Sequence, residues 1–90
     1  LQPCSIIDAS VHGIQIITPY NLQMQNIENF KLKIDFENPE ENVILSAHKI
    51  HTRLNEVNGR TFASISCQLL DPINFSWKNR IISIIEIVTK

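Results

Sequence analysis

An α+β fold, mainly β, is predicted for this sequence: a small antiparallel β-barrel carrying one C-terminal amphipathic helix. Three observations predict it. Phe30, Leu32, Ile34 and Phe36 alternate with Lys31, Lys33 and Asp35, as a half-buried strand requires. Asn58-Gly59 separates two β-prone runs, a strong short-range hairpin cue. After Asp71-Pro72 the apolar spacing changes, with Ile73, Trp77, Ile81, Ile84 or Ile85, and Val88 recurring at helical intervals.

Ninety residues make one domain, 1–90, with room for one modest core. Strands are expected at 3–8, 13–18, 29–36, 43–54 and 60–70, and the helix at 72–88. Ile14 and Ile16 share a face with Gln15 opposite, and Pro19 ends that strand. Asn38-Pro39-Glu40-Glu41-Asn42 reads as a polar turn. The long run from Val43 loses its alternation near Lys49, as a bulge would cause. On the returning strand Ala63, Ile65, Cys67 and Leu69 fall on one face, and Phe62, Ser64, Ser66 and Gln68 on the other. Asp71 is suited to cap the helix and Pro72 to begin it.

Apolar residues form 43% of the chain and charged residues 19%, a globular balance. No apolar run approaches the ~18 residues of a membrane span, so no membrane partner is expected. With a net charge of −1 and scattered Lys and Arg, a basic face for DNA or RNA is not expected either. Cys4 and Cys67 read as small buried residues rather than a disulfide framework, consistent with a cytoplasmic setting. The chain begins with Leu1 and Met24 is its single methionine, so a piece of a longer protein is expected.

Chemistry-bearing patterns are few. His48 and His51, three apart on a strand, would be sent to opposite faces by regular pleating, so no metal site is expected there. No nucleophile–base pair stands out, and an enzyme is not expected. Asp8-Ala9-Ser10-Val11-His12-Gly13 is the exception. Asp8 and Ser10, at a connection between strands, can bend back onto backbone amides or face a ligand. Gly13 allows a positive φ or a close approach to the backbone.

This Asp8-x-Ser10-x-x-Gly13 turn, followed at once by the apolar Ile14-x-Ile16 strand, resembles the signature of PilZ domains, bacterial receptors for cyclic di-GMP. The order of the later strands and the closing helix is similar to that family over nearly the whole chain, although the six-residue motif alone is specific. The resemblance implies a PilZ-like barrel that binds rather than catalyses. It implies Asp8, Ser10 and Gly13 as ligand-binding residues against a guanine edge and nearby phosphates, and cyclic di-GMP as ligand in place of a cofactor. The family also uses an Arg-x-x-x-Arg ahead of this turn, and Leu1 to Ile7 contain no arginine. Lys49 and Arg53 are candidate accessory cations if their strand passes beside the turn. The alternative implied is a degenerate PilZ-like adaptor in pilus, secretion or motility machinery that binds a partner protein, or other domains of its own chain, without nucleotide.

Overall fold

A computed structural model describes residues 2–21, 27–70 and 82–88. Strands make up 76% of these residues: β1 (Gln2–Pro3), β2 (Ser5–Ala9), β3 (Gly13–Pro19), β4 (Asn29–Phe36), β5 (Val43–Val57), β6 (Arg60–Leu69) and β7 (Ile82–Val88). They form one seven-stranded antiparallel sheet in the order β1-β7-β4-β5-β6-β3-β2, curled into a half-barrel.

Alternation builds the core. Ile14 and Ile16, the four apolar residues of β4, Leu45 and Ala47, the alternate residues Ala63 to Leu69, and Ile85 with Ile87 are all buried and form one cluster. Each large member contributes roughly 1.5–3 kcal/mol by leaving water. The faces of β4 and β6 are those the sequence predicts. At the β5–β6 tip Asn58 has φ 53° and Gly59 φ 79°, the left-handed pair that a tight hairpin turn needs. The polar turn at 38–42 contains a single 3₁₀ turn, Pro39–Glu41, whose Glu40 amide donates to Asn38 Oδ1 at 3.3 Å.

The expected C-terminal helix at 72–88 is corrected over its second half. Residues 82–88 are strand β7, paired with β4 from Lys31↔Val88 to Phe36↔Ile82 and with β1 through Gln2↔Ile87. Their β-branched side chains favour extended backbone, and burial alternates, with Ile85 and Ile87 inside and Ile84 half exposed. Residues 72–81 of the expected helix, Trp77 among them, lie outside the described residues.

Three register shifts interrupt the ladders among the described residues. One lies between Asp35 and Phe36, where β4 meets β7, and the other two redirect side chains of interest. In β2 the register shifts between Ile6 and Asp8, so Ile6 pairs with buried Ile16, whereas Asp8 pairs with outward Gln15. In a regular strand, with Ile7 paired, Asp8 would share the core face with Ile6. In β5 the register shifts between Lys49 and His51, where the sequence loses its alternation.

Both edges of the sheet come from adjacent residues. β1 pairs with β7 at one edge and β2 with β3 at the other, and the Cys4 amide between them donates to Ile85 O at 3.0 Å. Thr18, a buried polar side chain, closes the seam from the opposite side. Its hydroxyl accepts from Gln2 Nε2 at 2.9 Å and donates to Pro3 O at 2.8 Å.

Candidate functional site: a polar concavity at the Asp8 turn

The turn between β2 and β3 is made by the residues the motif singles out. Asp8 bends back to accept from the Ala9 amide at 2.9 Å. The Ser10 amide donates to Gly13 O at 2.7 Å, and the Ser10 hydroxyl donates weakly to the same carbonyl at 3.4 Å. On the far side the Leu69 amide donates to His12 O at 2.8 Å, tying the turn to β6. The backbone of this hairpin is therefore largely satisfied from within.

Asp8, Ser10 and Gly13 line one open concavity of about 190 Å³, together with Gln15 of β3 and Ser66 of β6. The ladder explains the grouping. Asp8 pairs with Gln15 and Gln15 with Ser66, so three polar side chains stand in one row across three strands. Gln15 Nε2 donates to Ser64 Oγ at 3.1 Å, which holds the amide along this surface. Gln15 and Ser66 are members that motif reasoning missed. Their signal is positional, since both occupy the outward positions of alternating strands.

Gly13 does not use glycine's conformational freedom, because its φ lies outside the left-handed region. A Cβ placed there would meet Cys67 O and Ser10 Oγ at 3.4 Å, an ordinary contact. What its bare backbone leaves is space at the floor of the concavity. Cys67 lies beneath that floor, and its thiol is pushed up to about 12, mainly by burial and further by nearby Cys4, against a lowering influence from Lys49. Such a thiol stays protonated near neutrality and is a poor nucleophile. Ser10 donates to a carbonyl, so no base draws on its proton in this arrangement.

Lys49 and Arg53 are not brought beside the turn. They lie on β5, which β6 and β3 separate from β2, about 14 Å away by three inter-strand spacings. Lys49 pairs with inward Cys67, and Arg53 with outward Ser64, so they also belong to opposite faces. The expected separation of His48 and His51 is corrected too. The β5 bulge lets His48 pair with Gln68 and His51 with Ser66, alternate residues on one face of β6. Among the described residues no group of three or more His, Cys, Asp or Glu gathers as a metal site.

No family model, no curated protein and no solved structure matches this chain.

Proposed function

We infer that this chain is a non-catalytic, PilZ-like regulatory domain that takes a guanine edge of cyclic di-GMP in the concavity at the Asp8 turn. One observation carries the reading: Asp8, Ser10 and Gly13, the three residues of the motif, share that concavity with Gln15 and Ser66. Asp8 accepts from guanine N–H donors, the Ser and Gln side chains offer further donors and acceptors, and Gly13 leaves room for a flat ring. The phosphates and the second ring face need cations and a stacking partner. Since Lys49 lies on the core face opposite Cys67, and Arg53 opposite Ser64, neither stands beside Asp8, and this reading requires an Arg-x-x-x-Arg preceding Leu1.

Calorimetric titration of the full-length protein with cyclic di-GMP tests it. Saturable binding is expected, weakened roughly 10- to 100-fold by Asp8→Ala, because a charge-assisted hydrogen bond contributes about 1.5–3 kcal/mol. No heat, or heat indifferent to Asp8→Ala and Ser10→Ala, overturns the reading.

A second reading, the nucleotide-independent adaptor of pilus, secretion or motility machinery, is favoured by apolar side chains beside the turn. Ile7, the extra residue of the β2 bulge, is 52% exposed, and Val11 is 37% exposed. A protein partner would cover them. It would be lost on Ile7→Asp and indifferent to cyclic di-GMP.

A further inference from the structure

The bulge in β5 creates an arrangement that regular pleating would forbid. His48 and His51 stand opposite Gln68 and Ser66, two residues apart on β6. Alternate residues of a strand are separated by about 7 Å, so the two imidazoles rise from one face at roughly that spacing. His51 is exposed and His48 half-buried, so both rings are within reach of solvent.

A second, independent feature concerns the orientation of one ring. His48 Nδ1 lies 2.9 Å from the side-chain oxygen of Asn29, its neighbour across the β4–β5 ladder. An amide oxygen only accepts, so Nδ1 carries the proton and donates. The Nε2 lone pair is then left available. Histidines that bind metals are held in this way, with the other ring nitrogen donating to an oxygen that fixes tautomer and angle.

We propose that His48 and His51 form a two-imidazole site for a divalent late transition-metal ion, such as zinc, nickel or copper, with Asn29 positioning the His48 ring. Neutral imidazole nitrogens suit these ions and not magnesium or calcium, which prefer oxygen donors. Bonds of about 2 Å from each ring to one ion are compatible with the spacing. Water completes the coordination, and the Gln68 and Ser66 side chains opposite the rings supply polar surroundings.

Zinc or nickel chloride titrated calorimetrically into the whole protein, freed of any polyhistidine tag, tests the proposal. One ion per chain is expected. His51→Gln, at an exposed position where folding is retained, should weaken binding about tenfold or more, as should His48→Gln. Asn29→Ala should weaken it by about tenfold while circular dichroism stays unchanged. With copper, electron paramagnetic resonance should show two nitrogen ligands in the native protein and one in His51→Gln. Binding that is absent, or unaffected by His51→Gln, overturns the site, and so does loss on His12→Gln or Cys4→Ser in its place.

Discussion

Thr18 shows how one hydroxyl can hold a seam. Buried at 1% exposure, it exchanges hydrogen bonds with Gln2 and Pro3 while its own strand continues the core. Thr18→Val keeps the shape and removes both bonds from a buried position. A loss of about 1–3 kcal/mol is expected in urea denaturation, whereas Thr18→Ser retains most of the stability. The two cysteines carry a different signature. Both are free; Cys4 is pushed up to about 12 by burial and then by Glu86, and Cys67 also to about 12. Thiols held above their ordinary value of 9.0 favour the folded state when protonated. That contribution is fully present below about pH 9 and is lost as pH rises towards 12. The urea midpoint should therefore fall across this window, less steeply in Cys67→Ala, and a thiol reagent at pH 8 should label the native protein slowly and the unfolded protein fast. A shared slope in both proteins would refute the assignment. At this scale the sequence is a partial guide. It marks Asp8 and Ser10 as turn-makers, yet nothing in it shows that Gly13 adopts an ordinary φ or that Gln15 and Ser66 join the row.

Among the elements, β7 separates two patterns that one segment can satisfy. Ile81-Ile82-Ser83-Ile84-Ile85-Glu86-Ile87-Val88 contains apolar residues at both helical and alternating intervals. Pairing with β4 decides between them, placing Ile85 at 6% and Ile87 at 3% exposure, and Ile84 at 50%. Ile85→Ala and Ile87→Ala should each destabilise by about 2–5 kcal/mol, with Ile84→Ala changing stability by less than about 0.5 kcal/mol. A helical stripe predicts sensitivity at Ile84 or Ile85 and Val88 instead, and tolerance at Ile87. Elements with a single compatible period, such as β4, and those with a turn signal, such as the Asn58-Gly59 hairpin, are legible without any partner. The β5 bulge is legible as a break in alternation. Its effect on His48 and His51 is not, because a one-residue insertion reverses the face of everything after it.

For the molecule as a whole, the sheet order is what local patterns cannot express. The β2–β3 and β5–β6 hairpins follow from neighbouring residues, but β4 against β7 and β6 against β3 are non-local choices made by burial. The concavity at the Asp8 turn depends on one of them, since Ser66 reaches it only because β6 lies beside β3. The junction at Cys4 has a further consequence, one of timing. Cys4 meets Ile85 across 81 positions of chain, and Gln2 pairs with Ile87. During synthesis β1 emerges well before β7, so it waits unpaired while the hairpins between them form. Contacts that far apart slow folding, and an unpaired edge invites association with other chains. Until β7 has left the ribosome, β1 is thus an unpaired edge, open to association.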